Sequence, residues 1–212
     1  MDKNAVQRAV QLSVSETVFR SSGRIYVPVA ASARHVHLCR ADVERLFGAG
    51  YRLQKFRDLS QPDQFACKEQ VTVVGPKGEL KKVRVLGPER AQTQVEIALT
   101  DSFALGVRPP IRMSGKLEGT PGCCLLGPAG SVELTSGLIA AARHLHLSAR
   151  QAALFGLTDG QRVSLRSTGE RACVLENVIV RCGDGHDMEA HIDTDEANAI
   201  AMSGTTMMEV IR

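Results

Sequence analysis

The 212-residue chain is 43% hydrophobic and 23% charged, carries a net charge of only +3, and has no Trp, two Tyr and six Phe. This is the composition of an ordinary globular protein with an aliphatic core, long enough for one large domain or two of about 100 residues each. The basic residues form no stripe and the aromatics no stacking platform, which excludes a conventional nucleic-acid surface. Six cysteines without a CxxC spacing argue against a zinc knuckle. With no secretory leader and no long apolar run, the sequence predicts a protein neither secreted nor membrane-spanning, with free thiols in a reducing cytoplasm.

In chain order, Val6, Val10, Val14 and Val18 recur every four positions, an amphipathic helical stripe over residues 1–20. Ser21-Ser22-Gly23 is a flexible break after it. Such a helix either packs on its own domain or docks on a partner, and periodicity supports both. From residue 24 the punctuation is β-rich. Runs at Ile25–Val29, Val71–Val74, Lys82–Leu86, Val95–Leu99, Val163–Arg166 and Asn177–Arg181 are separated by Gly and Pro turns. Gly75-Pro76-Lys77-Gly78 reads as a hairpin connection. Short helices are expected at Arg40–Phe47, Ala149–Phe155 and Asp195–Met202, with one turn from Asp101 closed by Gly106. Many short strands imply a mainly β fold of two small barrels capped by short helices.

The chemistry lies in a repeat. Residues 33–48 read ARHVHLCRADVERLFG, and residues 142–156 read ARHLHLSARQAALFG, alike throughout with one gap. Four of the six histidines therefore sit in two copies of one unit: His35 and His37, and His144 and His146. On an extended chain alternate side chains share a face, so each HxH pair points two neutral nitrogens one way, which suits one or two divalent metals. Glu96, in TQVEIALTD, and His191, in EAHIDTDEANA, are the further ligand candidates. Three histidines with one carboxylate, or two sites of three ligands, would each leave coordination open for substrate. His186 reads as a surface residue of a polar turn. Asp193, Asp195 and Glu196 read as the acid-rich start of a helix. Arg84, Arg90 and Arg112, near strand ends, offer guanidinium forks for phosphate, and Ser114-Gly115 can add a hydroxyl and an N–H.

These residues carry a resemblance. VPVAASARHVHL, VTVVGPKGELKKVRVLGPER, TQVEIALTDSFALG, RMSG, AARHLHLS and EAHIDTDEANA, over about residues 25–200, resemble the PduL-type phosphate acyltransferases, or phosphate propanoyltransferases, of bacterial microcompartments. The resemblance implies two tandem six-stranded β-barrels with short capping α-helices and an N-terminal amphipathic helix. Residues 24–33 plus 142–212 would form one barrel, and 34–141, with a small insertion near 48–68, the other. Residues 1–23 would be a targeting segment and linker. It further implies two Zn2+ per chain, one on His35, His37 and Glu96, the other on His144, His146 and His191. Arg90 would bind phosphate with Ser114 beside it, and coenzyme A would meet Ala31, Ser32, Ala33, Lys77, Arg84 and Asn198. Ala33, Cys39 and Ala98 depart from the family pattern, where asparagine, serine and serine are usual, and Ala33 puts a side-chain contact to coenzyme A in doubt.

The implied activity is zinc-dependent phosphate acyl transfer, acyl-CoA plus phosphate giving acyl phosphate plus coenzyme A, with a propanoyl or acetyl group and no acyl-enzyme. The implied setting is the bacterial cytoplasm, inside a microcompartment whose shell or lumen proteins are met through residues 1–20. Neither nucleic acid nor membrane is an expected partner, and a homo-oligomer is compatible with the sequence. Two rival classes use the same residues: a metal-dependent thioester or phosphate-ester hydrolase, and a metal-stabilised protein without catalysis.

Overall fold

The computed structural model describes residues 3–204 and 206–212. Residues 1 and 2 of the expected helix lie outside them. Helix α1 (Lys3–Ser22) leads into strands β1 (Ile25–Ser32) and β2 (His35–Cys39) and helix α2 (Arg40–Phe47). The middle of the chain forms β3 (Lys55–Asp58), β4 (Phe65–Val74), β5 (Glu79–Arg90), β6 (Gln94–Glu96), α3 (Asp101–Leu105), β7 (Ile111–Arg112), β8 (Cys123–Leu126), β9 (Ser131–Leu134) and β10 (Leu138–Ala141). The last part comprises β11 (His144–Leu147), α4 (Ala149–Phe155), β12 (Arg162–Arg166), β13 (Val174–Cys182), β14 (Glu189–Asp193), α5 (Thr194–Ala199) and β15 (Thr206–Ile211). No helix among the described residues is long and apolar enough to cross a membrane.

These elements form two compact units. One comprises the chain up to Ser32, Arg143–Ile192 and Glu196–Arg212; the other comprises Ala33–Ala142 and Asp193–Asp195. The first is a closed barrel of six strands in the order β1-β14-β11-β13-β12-β15. Closure leaves no strand edge exposed, and alternation turns Val27, Leu145, Leu147, Leu165, Val180 and Met208 into a fully buried core. A register shift between Val163 and Leu165 bends β12 where the sheet curls onto itself.

Helix α1 packs on this barrel, but not through the valines. Val6, Val10 and Val14 are 43%, 56% and 51% exposed, whereas Ser15 is fully buried and Leu12 and Phe19 pack against the barrel core. The ring of Phe19 meets Phe155 edge-on with centroids 5.1 Å apart. Leu12 and Phe19, seven residues apart on one helix face, make the apolar contact, and Val6, Val10 and Val14 are turned to solvent. Glu16 adds an ion pair to Arg150 at 2.6 Å. Phe19→Ala is therefore expected to cost about 2 kcal/mol, roughly half the loss for a fully enclosed phenylalanine. Val10→Ser should stay within about 0.5 kcal/mol. Thermal unfolding checks both, and a larger loss at Val10 would restore the valine stripe as the docking face.

The second unit is built on a larger, curled sheet. Its sheet has nine strands, eight in the order β7-β10-β6-β2-β5-β4-β8-β9, with β3 paired to β4. Strands β4 and β5 are 10 and 12 residues long, so they have room to carry both the central pairing and additional short strands. Their hairpin closes with Gly75 N–H donating to Gly78 O at 2.8 Å. A Cβ at Gly75 would lie 2.3 Å from the Leu105 carbonyl, so only glycine lets α3 sit that close. The expected strand Val95–Leu99 stops at Glu96, because Ala98 N–H turns to the Asp101 carboxylate. The expected helix Asp195–Met202 is shorter, Thr194–Ala199, and ends where Ala201 takes a positive φ of 51°.

Candidate metal centres

Each copy of the repeat folds as a short strand that delivers two histidines and then breaks into a helix. In the first copy β2 runs into α2, stopped at Gly48; in the second β11 runs into α4, stopped at Gly156. Ser148 caps α4 in a reciprocal capping box with Gln151. Cys39 cannot do this for α2; its N–H instead donates to Thr93 Oγ1, whose hydroxyl donates to Asp42.

In the second unit β2 lies antiparallel to β6, which sets His35 opposite Glu96 and His37 opposite Gln94. Ligand atoms of His35, His37 and Glu96 come within 4.8 Å of one another, and all three residues are buried. His35 Nδ1 is 2.8 Å from the Ala33 carbonyl. A carbonyl can only accept, so Nδ1 carries the hydrogen, and in the neutral ring Nε2, 3.4 Å from Glu96 Oε2, keeps its lone pair. Burial, with His35 and Arg90 nearby, holds His37 well below the ordinary imidazole range, so it stays neutral. Burial works against charge on His35 and Glu96 too, but their mutual attraction prevails: His35 is raised and Glu96 is held below the usual carboxylate range.

A chain of hydrogen bonds leads from Glu96 to Arg90. Ser114 Oγ donates to Glu96 Oε1 at 3.0 Å and accepts from Arg90 Nη1 at 2.9 Å. Gln94 Nε2 contacts both Glu96 and Ser114, and its Oε1 accepts from Gly115 N–H at 2.7 Å. Gln94, absent from the sequence reading, thus knits the carboxylate to the Ser114 turn.

In the first unit β11 lies antiparallel to β14, with His144 opposite His191 and His146 opposite Glu189. Ligand atoms of His144, His146 and His191 again fall within 4.8 Å. Nε2 of His144 faces Nε2 of His146 at 3.0 Å, and His191 Nε2 lies 2.7 Å from Glu189 Oε2. Burial first, then His144 and His191, push His146 far below the ordinary imidazole range. His186, read from sequence as a surface residue, is half-buried instead, its ring centroid 4.4 Å from that of His146. Its glycine-rich turn resembles an exposed loop, and nothing local signals the fold-back.

Both sets suit a divalent ion. The donors are imidazole nitrogen and carboxylate oxygen, and Nδ1 of His37 and of His146 are buried without a hydrogen-bond partner. Ligands must shed protons, so binding is pH-dependent. As pH falls through the raised His35 value, an imidazolium paired with Glu96 replaces a ligand. A divalent ion offered to this cluster should therefore bind more weakly as pH falls. The sign is opposite for metal-free folding: the raised His35 stabilises below its pKa and the gain disappears as pH rises, while the depressed Glu96 stabilises above the usual carboxylate range. Zinc affinity measured at stepped pH checks this, and an affinity unchanged on acidification would contradict it.

The other expected site residues are more dispersed. Arg84 donates to the carbonyls of Cys67 and Lys68 and lies over the Phe56 ring at 5.6 Å. Lys77 and Asn198 are exposed, as are Ala31 and Ala33, while Ser32 is half-buried. Arg112 is exposed and donates to the Ile111 carbonyl. Burial pushes the Cys67 and Cys123 thiols up to about 12, the reverse of an activated nucleophile.

The profile of the phosphate propanoyltransferase family matches residues 28–203. The chain belongs to that family. The phosphate propanoyltransferase of Priestia megaterium is 49% identical over 199 residues, 94% of this chain and 92% of that protein. That of Clostridioides difficile is 46% identical over 199 residues, 94% and 95% of the two chains. That of Thermotoga maritima is 47% identical over 184 residues, 86% and 88%. As a member of the phosphate propanoyltransferase family the chain is an acyltransferase. Both ligand clusters and the Arg90–Ser114 pair lie within the matched residues.

Proposed function

We propose that the chain catalyses reversible transfer of a propanoyl or acetyl group between coenzyme A and phosphate. A C–O bond forms between phosphate and the acyl carbon, the C–S bond breaks, and its electron pair leaves on sulfur. The observation that carries this reading is the Arg90–Ser114–Glu96 chain, which ties an anion-binding guanidinium to a ligand cluster within a few ångströms. Zn2+ held by His35, His37 and Glu96 would supply a Lewis acid for the thiolate or the carbonyl oxygen, and His144, His146 and His191 would hold a second Zn2+. Arg90 would grip phosphate through its fork, with Ser114 Oγ and the Gly115 turn fixing the guanidinium's direction. Gln94 holds Glu96 and Ser114 in register, so the anion site and the ligand cluster stay aligned.

Transfer is direct in this reading. The raised thiols of Cys67 and Cys123 make those two cysteines unsuited to an acyl-cysteine route. Within the second unit, coenzyme A would meet Ala33, Lys77 and Arg84. The exposed valines of α1 suit a second contact, by which residues 1–20 lead the enzyme into a microcompartment within the bacterial cytoplasm. The test of direct transfer is isotope exchange. Labelled coenzyme A should not enter propanoyl-CoA without phosphate or acyl phosphate; exchange in their absence would establish an acyl-enzyme.

A further inference from the structure

The two clusters use the same four positions of an antiparallel strand pair. His35 and His37 face Glu96 and Gln94, and His144 and His146 face His191 and Glu189. In both, the third ligand candidate has a polar neighbour two residues earlier on the same strand face. Each neighbour is hydrogen-bonded to that ligand, and with opposite polarity. Gln94 donates an amide N–H to the Glu96 carboxylate, whereas Glu189 accepts from His191 at 2.7 Å. A carboxylate ligand is served by a donor, an imidazole ligand by an acceptor.

We infer that Glu189 is a positioning residue of the second cluster, fixing His191 in the tautomer and ring orientation that present its Nδ1 lone pair to a metal. The inference rests on the reading that His144, His146 and His191 hold Zn2+. A carboxylate can only accept from the ring, so the hydrogen sits on Nε2 and the lone pair on Nδ1. Glu189 is 7% exposed, so its own charge is sheltered and its contact with His191 is little diluted by water. The Ala33 carbonyl does the same service for His35 from the other ring nitrogen. A metal-bound histidine whose second nitrogen is anchored in this way loses about 10–100-fold in metal affinity when the anchor is removed.

The experiment measures zinc affinity by competition with a chromophoric chelator, in a His35→Ala background so that only the second cluster is read. Should that background fold poorly, the same variants are compared in the unmodified chain. Glu189→Ala should weaken zinc about 10–100-fold and alter the visible spectrum of the cobalt-substituted protein. Glu189→Gln, which keeps an acceptor oxygen at that place, should recover most of the affinity. Wild-type affinity in Glu189→Ala overturns the inference, and so does a Gln variant no better than Ala, which would make the carboxylate a ligand. His191→Ala separates the underlying reading: if it costs no metal, the cluster itself does not hold zinc.

Discussion

With two Zn2+ per chain as proposed, His35→Ala is expected to remove one equivalent and to lower turnover on the order of 10³-fold. The lost imidazole is both a ligand candidate and the partner of a buried carboxylate, 3.4 Å from Glu96 Oε2. Without it Glu96 stays buried on the hydrogen bonds from Ser114 and Gln94 alone, and removing one partner of a buried pair costs up to about 3–5 kcal/mol in folded proteins. Metal-free His35→Ala should therefore melt well below the metal-free parent, and not only lose activity. Metal analysis and thermal unfolding read the two effects separately. Two equivalents retained with full turnover would remove this cluster from the chemistry.

The second large effect is expected at Arg90. Lysine keeps the positive charge but replaces a planar fork by a point donor, so a bidentate grip on phosphate becomes a single one. The Ser114 Oγ that receives Arg90 Nη1 at 2.9 Å also loses its fixed donor, which loosens the link to Glu96. Arg90→Lys should lower kcat/KM for phosphate about 10–100-fold, or about 1.4–2.7 kcal/mol of transition-state binding, with the KM for acyl-CoA little changed. Initial rates at varied phosphate test it. An unchanged phosphate dependence would move the anion site elsewhere, with Arg112 the next guanidinium to examine.

How much of this was legible depends on whether the signal was local. The HxH pairs were, because two candidate ligands on alternate residues of one short strand declare a shared face, and the repeat declares it twice. Short helices α2 and α4 were equally plain, each closed by a glycine at Gly48 and Gly156. Glu96 and His191 are single residues on their strands, and only cross-strand register brings them to the histidines. The family resemblance named them; periodicity alone left the grouping open. Gln94 and Glu189 went unseen because their partners are chosen by geometry two residues away. In α1 periodicity left open which face meets the barrel: Leu12 and Phe19 make the contact, and Val6, Val10 and Val14 lie outward. The second sheet exceeds six strands because pieces as short as Ile111–Arg112 are defined by pairing partners far along the chain.

The most direct measurement is coenzyme A release from propanoyl-CoA by the zinc-loaded protein, with and without phosphate, with acyl phosphate assayed in parallel. The account predicts release only when phosphate is present, one acyl phosphate formed per coenzyme A. Release at the same rate without phosphate, yielding free propanoate, would make the protein a thioesterase and contradict the account.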